Sequence, residues 1–316
     1  MPWCIRIVAA TAAAVVLLML RYACGLRRQE AAWYAAQRVG PVDLGSVEEL
    51  RILPLVDAEA ASGLLAEHGI SYLLVADGRA ILFDLGLGAG RRSTLQRNAQ
   101  QLGVDLAAID MVVISHAHPD HCGGPRAWLR RSFDLPEQVR NGIPVRTPIP
   151  MHHPTVKSEF SCRPTVLAPG IATTGPIARQ LFLLGWTPEQ ALIVNVRGKG
   201  IVVIVGCGHQ GVARLISRVR RLTEEPIYAV IGGLHLPVHG LYAQDIIGSA
   251  KWPWRRTTEQ DVTGVISVIR ECHPRLVAPS PHDSSAWTLG SFAAAFADEY
   301  RSIRVGGELV ISSHPK

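Results

Sequence analysis

The sequence predicts an α/β (α+β) domain, with sheets sandwiched between helix layers, carried behind an N-terminal hydrophobic helix. Three observations predict it. From Val47 onward, short runs rich in β-branched residues alternate with amphipathic helical stretches. Met111–Ser115 (MVVIS) is apolar almost throughout, as expected of a strand in a sheet covered on both faces. Ahead of the domain, Ile7 to Leu20 reads IVAATAAAVVLLML without a charge.

That uncharged run is shorter than the roughly 20 residues that cross the hydrocarbon core. Trp3 to Leu26 is long enough, with Arg6 and Arg21 reaching the two interfaces. Residues 1–28 are therefore assigned as an N-terminal membrane anchor or a signal segment, with a peripheral helix as the third alternative. Arg21-Tyr22-Ala23-Cys24-Gly25 is a poor cleavage site, which favours the anchor. Arg21, Arg27 and Arg28 follow the run, while Arg6 and the amino terminus precede it, so the positive-inside rule favours a cytoplasmic domain; the alternative is export. Residues 29–46 read as a linker that stands the domain off the membrane, and 47–316 as the domain itself.

Within the domain, Leu50–Val56 and Ile70–Val75 read as strands. Asp77-Gly78, before Ile81-Leu82-Phe83, marks a hairpin. Arg91–Leu102 has helical spacing and ends before Gly103, a residue suited to a C-cap. Ala191–Val196 and Ile201–Val205 form a second hairpin around Arg197-Gly198-Lys199-Gly200, and Val212–Leu222, Val262–Cys272 and Phe292–Tyr300 read as helices. The stretch 239–256 holds Tyr242, Lys251, Trp252, Pro253, Trp254, Arg255 and Arg256. Its Trp-Pro-Trp core reads as a loop, either a lid over an anionic substrate or a membrane-interface contact.

Composition excludes several classes. Of the 316 residues, 48% are hydrophobic and 18% charged, which rules out disorder. Six cysteines are too sparse for a disulfide framework. There is no Walker-type phosphate loop and no Gly-x-Ser-x-Gly nucleophile elbow. The net charge of +6 favours an anionic partner, but no appended basic domain points to nucleic acid, and none is expected.

The densest chemistry lies in Ser115-His116-Ala117-His118-Pro119-Asp120-His121-Cys122-Gly123-Gly124, directly after the buried strand. Imidazoles suit zinc, iron or manganese, and a carboxylate adds a harder oxygen ligand. Two histidines spaced by two point the same way from extended backbone, and the adjacent Asp120-His121 pair follows, a geometry suited to two metals. His209 follows another apolar strand (IVVIV) and a Gly-Cys-Gly turn that aims it back toward the loop.

This motif resembles the HxHxDH signature of the metallo-β-lactamase superfamily. Further blocks extend the resemblance over roughly residues 50–310: Glu67-His68-Gly69-Ile70-Ser71, Ile81-Leu82-Phe83-Asp84-Leu85-Gly86, Asn98–Leu106, Thr174–Arg179, Val205–Gly211 and Ile231–Leu236. Together they are similar to one subgroup, the relatives of dihydropterin ribofuranosyl-aminobenzene-phosphate synthase. The resemblance implies a four-layer αββα sandwich and two divalent ions, zinc with manganese or iron as alternatives. His116 and His118 would hold the first, Asp120 and His121 the second, and His282 would be the second ion's last ligand. His209 joins them as a metal ligand. Asp84 would brace the metal loop. His235 stays open between metal ligand and substrate contact, and Cys207 between soft ligand and buried side chain. His152 and His153 match a more variable His-Pro element and read as supporting or surface residues. The sequence departs from the subgroup at Asp283-Ser284-Ser285, where Cys-Thr-Gly is usual, and at Pro176, often Glu.

The chemistry implied is that of a metal-dependent hydrolase or group transferase, using a metal-bound hydroxide on a small anionic molecule, phosphate-containing or pterin-like. Asp120 would orient the hydroxide and act as the catalytic carboxylate, and Arg179 is the candidate clamp for substrate phosphate. The alternative is a non-catalytic metal-binding sensor or scaffold at the membrane with the same fold. Oligomeric state is not legible.

Overall fold

Two sheets face one another in the computed structural model, which describes residues 3–88, 90–139, 142–240 and 256–314. The first runs in the order β15 (Leu309–Ser312), β1 (Glu49–Val56), β2 (Ser71–Ala76), β3 (Arg79–Phe83), β4 (Met111–Val113), β5 (Val145–Thr147), β6 (Ser158–Phe160). The second runs β14 (Leu276–Pro279), β13 (Ile227–Gly232), β12 (Gly200–Val205), β11 (Leu192–Val196), β8 (Ile171–Thr173), β7 (Thr165–Ala168). Strands β9 (Ile177–Leu181) and β10 (Gly185–Glu189) pair only with each other. The expected hairpin at Asp77-Gly78 is present, both residues in the left-handed region that a two-residue turn requires.

Alternation explains the layering. Leu50, Ile52, Tyr72, Leu74, Ile81 and Phe83 of the first sheet meet Leu192, Val194, Val202, Ile204 and Ile231 of the second in one buried cluster. The opposite faces are apolar too. Ile193, Ile201, Val203 and Val230 pack against α5 (Val212–Leu222), α6 (Glu259–Arg270) and α7 (Ala286–Phe296). Leu55, Leu82 and Val112 pack against α2 (Thr94–Gln101) and, through Ala127, α4 (Pro125–Leu129). The result is the helix–sheet–sheet–helix order that the resemblance implied.

Element ends differ where capping overrides periodicity. The first domain helix starts at Thr94, not Arg91, because Ser93 accepts from Gln96 N as its N-cap. The last spans Ala286–Phe296, not Phe292–Tyr300: Ser285 caps it, and Ala297, at a φ of 41°, turns the chain out. A reciprocal capping box between Thr258 and Asp261 starts α6 three residues earlier than expected, at Glu259.

The N-terminal helix α1 covers Trp3–Ala36, so residues 29–36 of the stretch read as a linker are helical. It contains an apolar window of mean hydropathy 2.2 with no buried residue, long and apolar enough to cross a membrane by length and composition. Its second half lies on the domain. Tyr22, Gly25 and Gln29 form a buried stripe, with the spacing of one helix face. Gln29 Oε1 accepts from Gln180 N at 2.8 Å, and a Cβ on Gly25 would collide with the Gln180 side chain. Arg214 pairs with Glu30 at 2.5 Å. Of the 239–256 stretch, only His239, Gly240 and Arg256 are among the described residues; Tyr242, Lys251, Trp252, Pro253, Trp254 and Arg255 lie outside them.

Candidate metal centre

Strands β12, β13 and β14 run parallel, so their C-terminal ends lie together. The chain leaves β12 into Gly206–His209, β13 into Gly233–His235 and β14 into Ser280–Asp283. The parallel pair β3 and β4 in the facing sheet brings Asp84 beside Ser115. Loops from both sheets thus converge on one buried volume. Close approach is needed: a Cβ on Gly233 would stand 2.0 Å from Gly206 O and 2.6 Å from His282 Cε1.

Most of the expected ligands meet there. The ring centroids of His116 and His121 are 4.2 Å apart, of His116 and His209 5.1 Å, and of His121 and His282 5.4 Å. Candidate ligand atoms of Asp120, His121, Cys207 and His282 all lie within 4.8 Å of one another, as do those of His116, Cys207 and His209. Cys207 belongs to both groups, its Sγ 3.0 Å from His121 Nε2 and 3.3 Å from His282 Nε2. His118 packs its ring 4.5 Å from His116 and 4.9 Å from His209, but its Nε2 lies 3.3 Å from Thr187 Oγ1. It stands outside both tight groups. His235 is at the edge, ring 4.6 Å from His209. His153 stacks on Phe133 and His152 is exposed; neither reaches the cluster.

The buried nitrogens decide what the site suits. His116 Nε2 and both ring nitrogens of His209 have no hydrogen-bond partner among the described residues. Such groups are costly unless something unrecorded satisfies them, and neutral imidazoles beside a thiol and a carboxylate are a donor set for a borderline-soft divalent ion. Burial and the neighbouring imidazoles hold His116, His209 and His282 well below the usual histidine range and push His118 down to about 4. The rings are thus neutral at neutral pH, the form that ligates. Burial acts to raise Asp120, but His121, 3.5 Å away and itself held above the usual histidine range, against its own burial, by the Cys207 thiol and the Asp120 and Asp84 carboxylates, outweighs it and keeps the carboxyl ionised well below the usual range.

Supporting carboxylates hold these groups. Asp84 accepts from Ser115 N and Ser115 Oγ, each at 2.6 Å, and from His121 Nδ1 at 2.7 Å. Sequence reasoning missed two others. Glu189, at the end of β10, accepts from the backbone N–H groups of Cys207, Gly208 and His209 at 2.7–3.0 Å, and burial pushes it up to about 7. Asp57 accepts from Ser280 Oγ, which lies 2.7 Å from His282 Nδ1. Asp283, one of the departures from the subgroup pattern, accepts from His235 N at 2.8 Å. Arg179 sits opposite Thr187 in the β9–β10 hairpin; directly paired residues share a face, so Arg179 lies on the face that Thr187 turns to His118. Its buried Nε has no hydrogen-bond partner among the described residues, and its Nη1 would lie 3.9 Å from a Cβ on Gly211.

Comparison with known proteins agrees with this architecture. Residues 66–179 match the family described as the Metallo-beta-lactamase superfamily. The 7,8-dihydropterin-6-methyl-4-(beta-D-ribofuranosyl)-aminobenzene-5'-phosphate synthase of Methanocaldococcus jannaschii is 23% identical over 251 residues, covering 62% of this chain and 80% of that protein. Among solved structures, Tm1679, a metal-dependent hydrolase of the β-lactamase superfamily, superposes with a TM-score of 0.62 at 21% identity, covering 84% of this chain and 100% of its own. The metallo-β-lactamase fold protein YhfI from Bacillus subtilis gives 0.51 at 15% identity, covering 82% and 99%. These two likenesses bear on the fold. The signature loop, the layered sheets and the family match over residues 66–179 agree on an α/β metallo-β-lactamase-like fold, preceded by a long apolar helix.

Proposed function

We propose that this protein is a membrane-tethered metallohydrolase, or group transferase, acting on a small anionic substrate, phosphate-containing or pterin-like. The observation that carries the reading is the set of unpartnered, buried nitrogens on His116 and His209, set against Cys207, His121 and His282. In this reading His116, His118 and His209 hold one divalent ion, and Asp120, His121 and His282 hold a second. His118 would turn from Thr187 to do so. Cys207 is within reach of both groups, and His235 stays open between ligand and substrate contact. The ions, zinc with manganese or iron as alternatives, would supply Lewis acidity and a water acidified toward neutral pH.

The chain's own residues supply the rest. Asp120, 29% exposed at its side chain and ionised, would orient the attacking water and take its proton. Arg179, whose buried Nε has no hydrogen-bond partner among the described residues and which shares a face with Thr187, would hold an anionic group. Burial of Tyr22, Gly25 and Gln29 supports a helix that is retained as an anchor rather than cleaved, and the arginines after Leu20 favour a cytoplasmic domain.

The test is turnover by full-length, metal-loaded protein on a panel of phosphate esters, phosphodiesters, lactones and thioesters, with Asp120→Asn alongside. Hydrolysis or transfer of one class, abolished in Asp120→Asn while thermal unfolding is little changed, supports the reading. Near-normal activity in the variant places the chemistry elsewhere. Tight metal binding with no turnover across the panel favours the sensor or scaffold.

A further inference from the structure

The β9–β10 hairpin runs alongside α1, and its tip points toward the apolar end of that helix. Contacts mark the alignment level by level. Arg21 Nη2 donates to Leu183 O at 2.7 Å, and Tyr22 meets Phe182 edge-on at 5.4 Å. One helical turn on, Gly25 makes room for Gln180. Farther from the apolar run, Arg28 lies 4.2 Å over the Trp186 ring, and Gln29 holds Gln180 N. Arg21 is the first charge after the uncharged stretch. The hairpin tip, Phe182-Leu183-Leu184-Gly185, therefore stands level with the boundary at which α1 would leave a bilayer.

The tip's chemistry matches that position. Leu183 is 41% exposed and Leu184 half-buried. Around them stand Arg21 and Arg28 with the amphipathic rings of Tyr22 and Trp186, the combination found where protein meets headgroups. We propose that this tip is a second membrane contact, with Leu183 and Leu184 in the headgroup layer of an anionic bilayer and Arg21 and Arg28 on its phosphates. The proposal rests on the reading of residues 3–20 as a membrane span. It has a consequence for the metal centre. Thr187, which touches His118, lies on β10 two residues beyond Gly185, the end of the tip, a rise of about 7 Å in extended chain. The hairpin would then hold the His118 side of the pocket against the lipid surface, where an amphiphile with an anionic head could enter directly.

The test is photocrosslinking of the full-length protein in phosphatidylcholine–phosphatidylglycerol vesicles doped with a diazirine-bearing phospholipid, with adducts mapped by peptide mass. Adducts on both the 3–20 segment and the 182–186 segment are expected. Leu183→Asp should strip most of those on the hairpin and leave those on the helix. Leu129, exposed on α4, gives the background for an apolar surface residue. A labelled helix with a hairpin at that background overturns the proposal while leaving the anchor intact. Label on neither segment overturns the anchor and the proposal together.

Discussion

Asp84 grips His121 from behind: its Oδ2 lies 2.7 Å from His121 Nδ1, with both side chains fully buried. The same carboxylate takes both the N–H and the hydroxyl of Ser115, so one residue fixes the start of the signature loop and its last histidine. Asp84 adopts a φ of 62° to do so, a conformation that Asp tolerates better than most residues. The bond leaves His121 Nε2 as the atom facing Asp120 and Cys207.

Replacing Asp84 by Asn keeps the volume and removes the charge that orients the ring. Metal affinity should fall by about 10–100-fold, the usual cost of losing such an outer partner, while the sandwich still folds. Competition against a chelator of known affinity, beside circular dichroism, measures both. Unchanged affinity would mean that His121 is not held as a ligand.

Asp57 carries a pH signature. Burial pushes its carboxyl from an ordinary 3.8 up to about 7, against hydrogen bonds from Tyr72 and Ser280 that act to lower it. The folded protein keeps this proton where the unfolded chain releases it. Its contribution to stability therefore falls as pH rises from about 4 to about 7 and is level above that, by at most about 4 kcal/mol. Asp57→Asn should flatten this slope. Melting temperatures of the two proteins across that range decide the matter, and parallel curves would contradict it.

Arg179 offers a test of substrate charge. With its guanidinium replaced in Arg179→Gln, kcat/KM for an anionic substrate should drop about tenfold or more, mainly through KM, since hydrogen bonds to charged groups are the strong ones. A neutral analogue should be little affected. Equal losses on both would make Arg179 a packing residue between the hairpin and α5.

Legibility followed sequence distance. The signature loop, the Asp77-Gly78 turn and α5 are written in contiguous residues, and each lies where the pattern put it. His209 is legible because it follows an apolar strand run, a local signal for a loop at a sheet edge, whereas His282 comes only from the resemblance. Glu189 and Asp57 carry no such signal. Their role comes from hydrogen bonds to residues 18 or more positions away, which no spacing encodes. The docking of α1 was hidden as well. Gln29 and Glu30 look like linker polarity until Gln180 and Arg214 are brought beside them by the fold. The short strands β5–β8 escaped notice because three or four residues are too few to show a period.

The central claim is a two-ion centre built by the two ligand groups, and metal content of the purified full-length protein tests it most directly. Elemental analysis after saturation and removal of excess metal should find about two divalent ions per chain. His209→Ala, which strikes one group, and His282→Ala, which strikes the other, should each lower this to about one while the fold persists. A chain that retains no stoichiometric metal, or variants that keep the full complement, would contradict the account.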